Sequence, residues 1–230
     1  MTLSPSENLD DSRYDYAGRV LQDIGKAKPG AVVFDIGAGV CKMKPAAEAA
    51  GLTWYGFDLV PASPEVSRWD LVDPCPIRDV KADVVLLLDV VEHLFNPGIA
   101  LAHVAEVMKP DGVLVMTMPN PHWSRSRIHH ALHGTLANFT QHDLDWNHHV
   151  FTPLRHVMVR LLQESNLAVE RYVTLDGNEA SWPKARLSLS YPLLCAEAAG
   201  RKLLERMDNA ACGMSYALIA RPVDGAVSPS

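Results

Sequence analysis

Residues 32–39, Val-Val-Phe-Asp-Ile-Gly-Ala-Gly, constrain this chain more than any other stretch. An apolar run ends in an acid, and two glycines then alternate with small residues. Such a run reads as a buried strand of a parallel sheet. The glycines read as the tight turn leaving it, where a Cβ would keep the backbone away from a ligand. A helical pattern follows from Lys42 to Ala50. Strand, glycine turn and helix make a nucleotide cradle, because a helix N-terminus presents free N–H groups and a partial positive charge. A dinucleotide-binding fingerprint would place a third glycine three residues after the second. Lys42 stands there, which weighs against a nicotinamide cofactor and an oxidoreductase.

Further segments follow in an ordered series. Thr53 to Asp58 reads as a second strand ending in an acid, and Asp58 lies about 20 residues after Gly37. That is the spacing at which a βαβ unit delivers a carboxylate to ribose hydroxyls. Trp69-Asp70-Leu71 comes next, then Ala82 to Leu94 with an Asp89-Val90-Val91-Glu92-His93-Leu94 ending, then Met108 to Asn120 as another turn and strand.

Taken together, Asp35-Ile36-Gly37-Ala38-Gly39, Asp58, Asp70-Leu71 and the Glu92-His93-Leu94 segment resemble the class I S-adenosylmethionine-dependent methyltransferases. The last segment is similar to the branch holding ubiquinone-type O-methyltransferases. That family usually has one more glycine, where this chain has Cys41. The resemblance implies a Rossmann-like, doubly wound α/β fold. Its sheet would have seven strands, mostly parallel with the last antiparallel, and helices on both faces. It implies S-adenosylmethionine as cofactor, held by Asp35, Gly37, Ala38, Gly39, Asp58, Leu59, Asp70, Leu71, Asp89 and Val90. Asp58 would take the ribose, Asp70 and Leu71 the adenine edge and face, and Asp89 the methionine amino group.

Length suits one α/β domain spanning residues 1–230, and 48% hydrophobic content suffices for a full core. No apolar run approaches the ~18 residues of a membrane span. From the polar, acidic stretch Met1 to Asp11, no signal peptide is expected. Cys41, Cys75, Cys195 and Cys212 show no close pairing, so reduced thiols and a cytoplasmic location are expected. A net charge of −6 with no basic stripe weighs against nucleic acid as partner.

Residues 1 to about 10 are expected to be disordered. Tyr14, Ala17, Val20, Leu21 and Ile24 share one helical face. That helix either packs beside the cofactor pocket or only covers the sheet. Prolines at 61 and 64 leave the third crossover as a loop. Asn96-Pro97 reads as a helix start, and Thr152-Pro153 repeats the signal. Strands are expected over Leu167–Leu175 and Met214–Ala220, with a loose tail from Asp224. Two segments exceed the bare fold. Residues 119–151 read as a lid and substrate insertion. Residues 176–212 form a second insertion with an amphipathic helix from Leu193 to Asn209, whose apolar stripe suits core packing or a homodimer face.

All ten histidines fall between His93 and His156, and seven of them sit in the first insertion beside Trp123, Phe139 and Trp146. That insertion leaves the carboxyl end of a strand, where open α/β sheets bind ligands. Three readings compete. A neutral imidazole can take a proton from a substrate hydroxyl as the methyl arrives. Histidines with Asp143 or Asp145 could bind a divalent metal, a reading not favoured by the spacing. The third is a polar loop with structural histidines. The resemblance places His93 near the sulfonium and a histidine just before Phe151-Thr152, so His93, His148 and His149 are the base candidates, with Glu92 expected to face away. Trp123, Trp146 and Phe151 are the candidate substrate contacts. The expected function is methyl transfer to a small-molecule acceptor, at a hydroxyl oxygen ahead of a nitrogen. A non-catalytic cofactor-binding subunit is the alternative from another class.

Overall fold

The computed structural model describes residues 7–177, 182–184 and 190–223. The first half runs β1 (Glu7–Asn8), α1 (Arg13–Ala27), β2 (Val32–Ile36), α2 (Lys44–Ala49), β3 (Thr53–Asp58), β4 (Val66–Arg68), β5 (Ala82–Leu88), a 3-10 turn (Val91–His93) and α3 (Pro97–Val107). The second runs β6 (Met108–Pro119), α4 (Ser124–His133), α5 (Gln141–Asn147), α6 (Arg155–Glu164), β7 (Leu167–Leu175), α7 (Tyr191–Met207), a 3-10 turn (Asn209–Ala211) and β8 (Ser215–Pro222).

One sheet has the order β1-β7-β8-β6-β5-β2-β3-β4. Only β8 runs antiparallel to its neighbours, β6 and β7. Without the two-residue β1, this is the seven-stranded Rossmann-like arrangement expected from the sequence. The eighth strand corrects the expectation that the N-terminal residues are disordered throughout. Glu7 and Asn8 pair with Val173 and Thr174 at the open edge of β7. A partner strand, not local propensity, makes them extended. The other residues before Glu7, the tail after Val223 and part of the second insertion lie outside the described residues.

Strand residues alternate between two cores. Phe34, Ile36, Val85, Leu87, Leu114 and Met116 pack under α3 and α6 on one face. Val33, Val84, Leu86, Val113 and Val115 pack under α1 and α2 on the other. Burial on both faces is why these strands read as continuous apolar runs. At the start of α3, the Asn96 Oδ1 accepts from the Ile99 N–H at 3.3 Å, as its N-cap reading requires. The Thr152-Pro153 signal fails by two residues. The Val150 and Phe151 N–H groups both donate to the Glu92 carbonyl, at 2.9 and 3.0 Å, and hold the chain against the 3-10 turn. The helix therefore starts at Arg155, behind an apolar Leu154 cap.

Asp83 ties the bottom of the sheet together. Its Oδ2 accepts from the Val32 N–H and the Lys109 ammonium, each at 2.7 Å, and Lys28 Nζ lies 2.6 Å from Oδ1. Burial disfavours the charged carboxylate, yet the bonds from Lys109, Lys28 and Val32 outweigh it and hold the pKa down to about 2. The folded state thus binds this proton less tightly than the unfolded chain. The stabilisation is complete above about pH 4 and disappears as pH falls toward 2. Asp83→Ala is expected to cost about 2 kcal/mol at pH 7. Urea denaturation of both proteins at pH 7 and pH 3 should show the gap narrowing in acid.

Candidate cofactor and acceptor site

The chain passes from β2 outward to β3 and β4, then returns to β5 on the other side of β2. The carboxyl ends of β2 and β5 therefore flank a topological switch point, the place where open α/β sheets bind ligands. A crevice of about 210 Å³ opens there, lined among others by Tyr14, Asp35, Gly37, Ala38, Gly39 and Leu88.

The turn above β2 is anchored on β3. The Gly37 and Ala38 N–H groups both donate to the Phe57 carbonyl, at 2.8 and 2.9 Å. Gly37 has φ +78°, and a methyl there would drive into the Val90 side chain. Val90 thus packs onto the glycine turn and joins the β2 and β5 ends. Gly39, at φ +50°, has open space where its Cβ would stand. The main chain can approach a ligand there.

Cys41 takes φ +60°, a left-handed conformation that L-residues occupy at a cost. The turn keeps its shape without the usual glycine, and the Cys41 N–H donates to the Ala38 carbonyl at 2.8 Å. Cys41→Gly is expected to stabilise the protein by up to about 1 kcal/mol, since relief of strain exceeds the added freedom of the unfolded chain. A thermal melt reads this directly, and a lowered midpoint would count against the strain.

Acids cluster at the strand ends. Asp58 accepts from the Gly39 N–H at 2.9 Å through Oδ2 and from the Val60 N–H at 3.0 Å through Oδ1. Asp58 is thereby fixed beside the glycine turn, with lone pairs left for a ligand. Asp70 lies beyond the neighbouring strand, and its Oδ1 accepts from the Val72 N–H at 3.2 Å. Asp35 is buried and accepts from the Trp54 indole N–H at 3.1 Å. Burial, reinforced by Asp58, pushes its pKa up to about 6 despite the Trp54 bond. Asp89 adopts φ +53° at the end of β5. It accepts from the Thr117 hydroxyl at 3.0 Å and pairs with the Arg13 guanidinium. Burial raises the Asp89 pKa, opposed by Arg13 and Thr117.

The other cofactor candidates divide. Leu59 is exposed, whereas Leu71 is buried in the core and offers little side-chain surface to a ligand. Sequence reasoning missed Arg13 and Lys42. The Lys42 ammonium stands 4.6 Å from the centre of the Tyr14 ring, so α1 leans over the crevice. No periodicity marks Arg13, because its partner Asp89 lies far along the chain.

A second cluster adjoins Asp89. The His93 and His149 rings meet edge-on with centroids 5.1 Å apart. The His149 Nδ1 lies 2.6 Å from the Asn138 carbonyl oxygen. A carbonyl only accepts, so Nδ1 carries a proton, and the tautomer this selects has its lone pair on Nε2. Burial lowers the His93 pKa, as does the His149 ring beside it, while the His148 and Asn147 backbone pulls it back up. Glu92 corrects the expectation that it faces away. It is 1% exposed, and a carboxylate oxygen lies within 4.8 Å of ring nitrogens of both His93 and His149. Burial, then Asp89, pushes its pKa up to about 8. His148 is exposed at the left-handed end of α5, outside this group. The acids considered as metal partners are engaged elsewhere. Asp143 closes the capping box of α5 with Thr140, and Asp145 accepts from Gln141 at 2.8 Å.

The aromatic candidates do not share one wall. Trp146 is 75% exposed on α5, and Phe151 packs against the core beside α6. Trp123 is 3% exposed, with the Arg201 and Arg125 guanidinium groups 5.4 and 5.8 Å from its ring. It belongs to the packing between the two insertions. Across that contact, the Ser124 hydroxyl donates to Glu205 at 2.6 Å, and Arg127 pairs with Asp208. The outer stripe of α7, with Leu193, Leu203 and Met207, does not pack on the core as its pattern allowed and stays exposed. Among the described residues, no helix is long and apolar enough to cross a membrane.

Residues 10–172 match a family described as a methyltransferase domain, and the chain belongs to that family. Its cofactor is therefore S-adenosylmethionine, and the nicotinamide alternative falls. Solved structures agree on the fold. An S-adenosylmethionine-dependent methyltransferase from Archaeoglobus fulgidus is 20% identical, with a TM-score of 0.60 over 91% of this chain and 94% of that one. One from Mesorhizobium loti is 16% identical, with a TM-score of 0.54 over 92% and 99%. An O-methyltransferase family protein from Burkholderia thailandensis is 17% identical, with a TM-score of 0.54 over 92% of this chain and 56% of that one. No curated protein sequence matches the chain.

Proposed function

We propose that this methyltransferase acts on a hydroxyl oxygen of a small-molecule acceptor. The observation that carries the reading is the imidazole pair beyond β5. His149 is held by Asn138 with its Nε2 lone pair available, beside a His93 whose pKa is lowered. A hydroxyl nucleophile must shed its proton as the methyl arrives, and a positioned base of this kind contributes roughly 100- to 10,000-fold.

In this reading the methionine end lies over Gly37, Ala38 and Gly39. Asp89 meets its ammonium group, and Arg13 meets its carboxylate. Asp58 and Leu59 hold the ribose, Asp70 and Leu71 the adenine, and Val90 shapes the floor. The methyl leaves sulfur as the acceptor oxygen bonds to carbon in line. Positive charge on sulfur vanishes in that step, so a water-poor cleft favours it. Holding oxygen and methyl about 3 to 3.5 Å apart supplies much of the acceleration. The displacement itself needs no metal. Residues 119–151 serve as the lid, with Trp146 and Phe151 offering ring surface and Trp123 bracing the wall from behind. The net charge of −6 supports a small acceptor over a nucleic acid.

Calorimetry with S-adenosylmethionine and S-adenosylhomocysteine tests the cofactor half. Transfer of a labelled methyl to a panel of phenols, catechols and primary amines tests the acceptor half. Label found on amines alone would overturn the oxygen assignment. Tight cofactor binding with no transfer to any extract would point to the non-catalytic subunit.

A further inference from the structure

We propose that Glu92, His93 and His149 form a binding site for a divalent transition-metal ion on the acceptor side of the cofactor crevice. Three independent features carry this. Ligand atoms from all three residues lie within 4.8 Å of one another, so modest side-chain movement would bring them around one ion. The Glu92 Oε2 atom is buried without a hydrogen-bond partner, in a residue 1% exposed. A buried carboxyl oxygen left this way costs free energy unless something occupies its lone pairs, and an ion bound there would displace the carboxyl proton. Finally, the Asn138 carbonyl accepts a hydrogen bond from His149 Nδ1–H at 2.6 Å and leaves Nε2 as the ligand atom. Metal-bound histidines are held in this manner by an outer partner on the opposite nitrogen.

Their convergence is built by the backbone. The 3-10 turn Val91–His93 presents Glu92 and His93 directly after β5. The Val150 and Phe151 N–H groups, bonded to the Glu92 carbonyl, lash the residue before them, His149, onto that turn. Other nearby charges are otherwise engaged, since Asp89 is paired with Arg13.

Two imidazoles and one carboxylate suit zinc, iron(II), cobalt(II) or nickel(II) better than magnesium. Three protein ligands leave coordination positions open, as at catalytic metal sites. The inference rests on the hydroxyl-acceptor reading and deepens it: the open positions would take the acceptor's oxygen, so acceptors with two adjacent oxygens would bind best. With the ion bound, both imidazoles are ligands, and the hydroxyl proton passes to water instead. The acidified oxygen then forms the O–C bond as the C–S bond breaks.

Cobalt(II) titration of the whole protein under reducing conditions gives a readout independent of activity. The expected result is one equivalent with visible absorption bands of a nitrogen- and oxygen-ligated ion. Glu92→Gln, His93→Ala and His149→Ala should each weaken binding at least tenfold, with circular dichroism confirming that each variant folds. His148→Ala should bind as the parent does. No saturable binding, binding with intense sulfur-to-metal bands, or binding that survives both histidine changes would overturn the site. S-adenosylmethionine calorimetry on the same samples separates the outcomes. Cofactor binding and hydroxyl methylation without cobalt binding would sink the metal site alone. Cobalt binding with transfer only to amines would sink the hydroxyl reading.

Discussion

Replacing Asp58 with alanine is expected to weaken S-adenosylmethionine binding by roughly 10- to 150-fold, the equivalent of about 1.5 to 3 kcal/mol for hydrogen bonds to a charged group. The carboxylate has two tasks in the proposed complex. It offers lone pairs to the ribose hydroxyls, and it orders the glycine turn through the Gly39 N–H at 2.9 Å. Asp58→Asn separates them. One amide oxygen can still accept from Gly39 or from a hydroxyl, but not from all partners with full charge, so an intermediate loss is expected. Calorimetry at fixed salt checks both variants. An affinity for Asp58→Ala within twofold of the parent would remove the residue from the ribose role.

In the metal-free protein, turnover should fall roughly 100- to 10,000-fold in His149→Ala, the range lost when a positioned proton acceptor is removed. Cofactor affinity should stay within twofold, because the ring stands with His93 and Phe139 and not among the residues lining the glycine-turn crevice. His148→Ala is the internal control. Its exposed side chain lies outside the cluster, so its turnover should match the parent. Equal losses in the two variants would indicate a general disturbance of the segment after α5 instead of a specific imidazole.

The sequence was most legible where burial decides conformation. β3 and β7 match their expected ranges to the residue, Thr53–Asp58 and Leu167–Leu175. In each, strand period or continuous apolar character leaves one solution. The glycine turn was legible because Gly37 and Gly39 need conformations other residues resist. Contacts between distant segments were not legible. β1 exists because β7 has an open edge, and two residues carry no pattern of their own. The inward position of Glu92 follows from a single 3-10 turn, which has neither the two-residue alternation of a strand nor a helical stripe. Arg13 precedes the apolar face of α1, and only the fold brings it to Asp89. Of the histidines, the family resemblance singled out His93 and His149 but could not separate them from His148, whose own backbone turns left-handed at φ +55°.

The bond from Ser124 to Glu205 joins positions 81 residues apart, one in each insertion. The two stretches therefore brace each other where α4 packs on α7. Transplanting the histidine-rich stretch into a related enzyme would leave Trp123 without Arg201 of α7 and Arg127 without Asp208 just beyond that helix.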